Sequence, residues 1–146
     1  MDAPELIVSG VKVSVVRKIH NPKGDIYHAL KATDAGFANF GEAYFSTVHK
    51  SDIKGWKKHT RMVMNLVVPI GMVRFHFFNE QEATYGYVDV GDDNYVRLTV
   101  EPDVWMAFEG LGNKLNLLLN IASIPHDPNE AVSVDIDTYQ LQRSAN

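Results

Sequence analysis

The stretch Ile53–Asn79, IKGWKKHTRMVMNLVVPIGMVRFHFFN, decides the fold. Its first seven residues carry three lysines and a histidine, and two apolar runs follow, joined by Pro69-Ile70-Gly71. Side chains of an extended segment alternate between faces. Alternation from Ile53 puts Ile53, Gly55, Lys57 and His59 on one face and Lys54, Trp56 and Lys58 on the other. Met62 to Val68 is apolar on both faces except at Asn65, the pattern of a buried strand. Arg74 and His76 share a face of the next strand. The expectation is that three consecutive strands converge polar groups on one concave surface.

Outward from this stretch, short runs with a two-residue period recur. Leu6 to Val16, Asp25 to Ala32, Gly41 to Val48, Thr84 to Val90 and Tyr95 to Val100 read as strands. Val104 to Phe108, Lys114 to Ala122 and Ala131 to Ile136 complete the set. Between them lie turn formers: Asn21-Pro22-Lys23-Gly24, Asp34-Ala35-Gly36, Asn79 to Ala83, Gly91 to Asn94, Gly110 to Asn113 and Pro125 to Pro128. Met1 to Pro4 reads as a frayed tail, and QLQRSAN at the other end as disordered. About ten short strands, with turns roughly every 8–12 residues and no amphipathic helix, predict an all-β barrel or two-sheet jelly roll. Small ligands bind in the mouths of such barrels.

The chain of 146 residues fits a single domain spanning 1–146. It has no cysteine, which excludes disulfides, thiolate ligands and thiol nucleophiles. A net charge of −4 and a small basic cluster at Lys54, Lys57, Lys58 and Arg61 argue against a nucleic-acid surface. No apolar run reaches the roughly 18 residues of a membrane helix, and the N-terminus lacks a signal-peptide core. The expectation is a cytoplasmic protein that uses neither membrane nor nucleic acid as partner.

GEAYFSTVHKSDIKGWKKHTRMVMNLVVPIGMVRF, EPDVWMAFEGLG and PHDPNEAVSVDID resemble the RmlC-like cupin group over about Gly41 to Asp137. That group includes the dTDP-4-dehydrorhamnose 3,5-epimerases and smaller nucleotide-sugar ketoisomerases. The resemblance implies a cupin jelly roll, a homodimer formed by strand exchange, and a nucleotide-sugar ligand. It also implies proton transfer beside a 4-keto group, without metal or organic cofactor, in surface-polysaccharide or deoxysugar synthesis. In such epimerases a strand histidine takes the proton and a tyrosine returns one to the opposite face. A late aspartate orients the histidine, and a basic residue steadies the enolate. Here Lys57 stands at the first histidine position and His59 at the second. The tyrosine position falls near Leu119 and Asn120, and the basic one near Met64 or Asn65. The late aspartate is Asp135 or Asp137.

Expected catalytic residues are therefore His59, Lys57 and Asp135, and expected substrate-binding residues are Lys54, Asn65, Arg74, His76 and Asn120. Lys57 acts as a base only if an apolar pocket strips its water; otherwise it is a fixed cation against a phosphate or an enolate. Each has a plainer reading as a strand-end, surface or hydrogen-bonded core residue. Trp56 and Trp105 read first as packing groups. A metal is not expected, because an HxH pair with a following glutamate and a later histidine is not present. The alternative to an epimerase or isomerase is an inactive cupin that binds a nucleotide sugar or similar ligand.

Overall fold

The computed structural model describes residues 8–145. The expected tail Met1 to Pro4, and Leu6 and Ile7 of the first expected strand, lie outside them. The described residues form twelve strands and one 3-10 turn. They are β1 Val11–Val15, β2 Lys18–Ile19, β3 Ile26–Tyr27, β4 Glu42–Thr47, β5 Ile53–His59 and β6 Met64–Ile70. Then come β7 Met72–Asn79, β8 Thr84–Gly91, β9 Val96–Val100, β10 Trp105–Gly110, β11 Leu117–Ala122 and β12 Ala131–Ser133. Sheet 1 runs β1-β9-β6-β11-β4, sheet 2 runs β12-β5-β10-β7-β8, and β2-β3 form a small hairpin. No helix among the described residues is long and apolar enough to cross a membrane.

The sheets face each other as a cupin-type jelly roll. Alternation supplies the shared core: Met64, Leu66 and Val68 of β6 and Leu98 and Val100 of β9 meet Val73, Phe75 and Phe77 of β7 and Val88 and Val90 of β8. Full burial of one such side chain contributes about 1.5–3 kcal/mol. The alternate residues of sheet 2 face outward, where a second cluster forms. Trp56, Trp105 and Ala107 pack there against Phe78, Tyr85, Val134, Ile136 and Tyr139. Trp56 Nε1 donates to the Ile136 carbonyl at 3.0 Å. Both tryptophans are thus packing groups beneath the C-terminal segment.

Two segments depart from the sequence expectation. Asp25 to Ala32 gives a ladder of only two residues. Its next carbonyls are taken by side chains instead: Tyr95 Oη donates to His28 O at 2.7 Å and Arg97 Nη1 to Ala29 O at 3.0 Å. The QLQRSAN tail, expected to be disordered, is packed as far as it is described. The Gln142 N–H donates to Tyr85 Oη at 2.9 Å, and Arg143 Nε reaches Glu109 Oε2 at 3.2 Å. A buried carboxylate on the outer face of β10 gives the tail something polar to bind.

Candidate functional site

A cavity of about 400 Å³ opens between the sheets, lined by Lys54, Lys57 and His59 of β5 and by Tyr44 and Asn120 of sheet 1. Met64, Leu66, Met106, Phe108 and Leu118 form its apolar walls.

The β5 residues arrive there through an irregularity. Met106 pairs with Lys57 and Phe108 with Lys54, so Ala107 faces two residues, Gly55 and Trp56. This is a β-bulge, one extra residue on one strand. Gly55 has φ +144°, and a Cβ there would lie 2.5 Å from Ala107 Cβ, so the position demands glycine. The extra residue resets the alternation. Lys54, Lys57 and His59 face the cavity, whereas Ile53 and Trp56 join the outer cluster. Strict alternation from Ile53 had separated Lys54 from the other two.

His59 is held by a residue not anticipated from sequence. Its Nδ1 bonds Oε1 of Glu130, which is 3% exposed. Glu130 Oε2 accepts the backbone N–H groups of Thr60 at 3.2 Å, Arg61 at 3.1 Å and Met62 at 3.3 Å. Burial pushes this carboxyl up, but the bonds from His59, Arg61 and Met62 outweigh it and hold the group below the usual carboxylate range. An ionised carboxylate only accepts hydrogen bonds, so the ring proton sits on Nδ1. Nε2 has no protein partner among the described residues.

Across the cavity, β11 and β4 pair Asn120 with Tyr44. Asn120 Nδ2 donates to Tyr44 Oη at 3.0 Å. Its Oδ1 is buried with no partner. Whichever way the amide is turned, one of its polar atoms lacks a partner. A phenol thus reaches the site from β4, beside the strand on which the tyrosine was looked for. Lys57 stands exposed at the cavity edge, whereas Lys54 Nζ donates to Thr47 O at 2.6 Å and lies 5.7 Å from the Phe108 ring centre.

The remaining expected site residues lie elsewhere. Asp135 accepts the Asp137 N–H at 3.1 Å as the N-cap of the 3-10 turn Ile136–Thr138, so it does not orient His59. Asn65 points out of sheet 1: its Nδ2 donates to Gly36 O at 2.9 Å and its Oδ1 accepts from Thr99 Oγ1 at 2.7 Å. Arg74 and His76 share a face, but it is the outer face of sheet 2. Arg74 forks onto Asp89 at 2.7 and 3.0 Å. His76 bonds Tyr85 Oη at 2.8 Å and Glu109 Oε1 at 3.2 Å. Three converging strands therefore reduce to one, β5, and its partners come from β4, β11 and the residue before β12. Among the described residues, no three His, Asp or Glu side chains gather as metal ligands.

Two facing antiparallel sheets with a polar cleft at one end of an apolar interior define the cupin class. Among solved structures, a dTDP sugar isomerase from Desulfovibrio desulfuricans G20 is similar, with a TM-score of 0.88 and 32% identity, covering 93% of this chain and 90% of its own. The chain belongs to the RmlC-like cupin family of nucleotide-sugar epimerases and isomerases. A variant of the 3,4-ketoisomerase QdtA from Thermoanaerobacterium thermosaccharolyticum, in complex with TDP-4-keto-6-deoxyglucose, shares the fold. Its TM-score is 0.74 at 20% identity, covering 86% of this chain and 88% of its own. ChmJ, a 3'-monoepimerase from Streptomyces bikiniensis in complex with dTDP-quinovose, shares it too. There the TM-score is 0.79 at 12% identity, covering 96% of this chain and 82% of its own. No protein-family model and no curated protein matches the chain.

Proposed function

We propose that this cavity isomerises or epimerises a nucleotide-linked 4-keto-6-deoxyhexose, with His59 as the base. The observation that carries the reading is the His59–Glu130 pair at the cavity wall. A base needs a free lone pair within reach of the carbon acid and a partner for the charge it acquires. Nε2 supplies the first. The buried carboxylate supplies the second, because it stabilises the imidazolium once the proton has moved. A carbon beside a ketone loses its proton as the carbonyl oxygen becomes an enolate. Lys57, two residues from His59 on the same face, is the cation for that oxygen. Lys54, further along β5, faces the nucleotide diphosphate. Tyr44, on the facing sheet, returns a proton from the side opposite His59, and the Asn120 amide meets a sugar hydroxyl.

The fit of nucleotide sugars to relatives of this fold supports the substrate class. Deoxysugar synthesis for surface polysaccharide, in the cytoplasm, is the setting that such a substrate suggests. A homodimer is part of the same reading. Phe40 and Phe45, each 65% exposed, lie before and on the free edge strand β4, where a second copy would cover them. Sedimentation at micromolar concentration checks the mass.

The test of the reaction is deuterium uptake. Incubation with dTDP-4-keto-6-deoxyglucose in D₂O should place solvent deuterium on a carbon adjacent to the keto group, and His59→Asn should abolish it. A wild-type protein that binds this substrate yet never exchanges the proton is an inactive binder, and the proposal fails. Uptake that survives His59→Asn removes the assigned base.

A further inference from the structure

We infer that the chain carries a second ligand site, for a phosphoryl group, on the outer face of sheet 1. A pocket of about 260 Å³ lies there between β1, β9 and the irregular segment 28–36, and it shares no lining residue with the sugar cavity. At its wall is Arg97 of β9. The neighbours Val96 and Leu98 enter the core, so Arg97 takes the opposite face. It is 4% exposed.

One end of this guanidinium is tied down. Nη1 donates to Ala29 O at 3.0 Å and to Asp34 Oδ2 at 3.1 Å. The other edge is free: Nε is buried without an acceptor, and no described residue accepts from Nη2. That Nε/Nη2 edge is the fork that grips carboxylates and phosphates with two parallel bonds. Elsewhere in the same protein it is filled, where Arg74 Nε and Nη2 hold the two oxygens of Asp89 at 2.7 and 3.0 Å. A buried donor left without an acceptor is costly, and an incoming oxyanion removes that cost.

The surroundings suit a dianion. Lys12, Arg17 and Lys31 also line the pocket and are exposed at its rim. Four cations thus face one carboxylate in a chain whose net charge is −4. Asp34 is itself engaged, since Oδ2 accepts both the Lys31 N–H at 2.9 Å and Arg97 Nη1. It positions the arginine and leaves Nε and Nη2 without a protein acceptor. The Ser14 hydroxyl in the lining adds a neutral donor. The volume exceeds a bare phosphate and takes a small phosphate monoester.

The test titrates inorganic phosphate, then ribose 5-phosphate, at constant ionic strength. It follows the Arg97 Nε–H resonance and binding heat. The expected result is a saturable shift of that resonance which chloride does not reproduce. Arg97→Lys should lose saturable binding, because an ammonium has no fork. Lys31→Ala, at an exposed position that does not threaten folding, should weaken binding by about 2- to 5-fold. Lys54→Ala removes the cation assigned to the diphosphate in the sugar cavity, so an unchanged Arg97 resonance shift in that variant separates this site from the cavity. Tighter binding of ribose 5-phosphate assigns a monoester ligand, and equal binding assigns free phosphate. No saturation, an equal response to chloride, or undiminished binding by both Arg97→Lys and Lys31→Ala overturns the inference.

Discussion

Glu130→Gln is the sharpest perturbation of the sugar site, because it changes one atom and reverses one proton. The carboxylate has two jobs: Oε2 accepts three backbone N–H groups, and Oε1 accepts from His59 Nδ1. Glutamine has one oxygen for both. Turned to the three N–H groups, which would otherwise be left unpaired, it presents its NH₂ to the imidazole. Nδ1 must then accept, and the ring proton moves to Nε2, where it removes the lone pair that abstracts the substrate proton. General-base catalysis is worth about 10²- to 10⁴-fold, so exchange should fall within that range. Weakening charge-assisted bonds to a buried group should cost about 1–3 kcal/mol of stability. Deuterium exchange in D₂O measures the first effect, and denaturant unfolding the second. The pH dependence supplies a further check. The folded Glu130 carboxyl lies below its ordinary value of 4.5, so its stabilisation is present above that pH and disappears as pH falls through the lower folded value. The variant should lose this acid sensitivity. Exchange within about threefold of wild type would refute the orienting role, given that base catalysis is worth far more.

Tyr44→Phe should lower net conversion by about 10²-fold while deuterium uptake persists, because the phenol acts after abstraction; loss of both together would count against an acid on the far side. Gly55→Ala should cost at least about 1–3 kcal/mol, since alanine is strained at φ +144° and meets Ala107, and a melting curve reads it. His76 gives a pH effect well above that of Glu130. Burial lowers its value from 6.5, against the opposing pull of Glu109, with Arg74 adding to the lowering and Asp89 opposing it. The folded protein therefore binds fewer protons than the unfolded chain. Stability should decline as pH drops below about 6.5 and level off once the folded value is passed, and His76→Gln should flatten this part of the melting profile.

Most of the jelly roll was legible because burial on one face imposes a two-residue period, and turn formers punctuate it. What alternation could not show is where the period slips. Lys54 reaches the cavity only through the extra residue opposite Ala107, and nothing in IKGWKKH but the glycine hints at it. Glu130 escaped notice because it closes a polar loop, PHDPNE. Its importance comes from β12 pairing Ala131 with His59, a contact between residues far apart in the chain. Arg74 and His76 were placed correctly relative to each other, yet periodicity does not say which face is inside. Two asparagines on one apparent face of the Lys114 to Ala122 run met different fates. Asn116 is fully used: Oδ1 accepts from Met72 N and Gly112 N, and Nδ2 donates to Val48 O and Gly112 O. Asn120 is left with an orphan oxygen at the cavity. Only the three-dimensional surroundings distinguish a structural amide from one in want of a ligand.

The slip in β5 makes the cavity's charge depend on strand register as well as on residue identity. Losing the slip at the same length, with one β5 residue opposite each β10 residue, would turn Lys54 to the outer face and bring Ile53 inside. A hydrocarbon would replace an ammonium at one end of the cleft without any lysine being mutated. Relatives that keep the motif but pair β5 without the slip would thus meet the same substrate with a different electrostatic field.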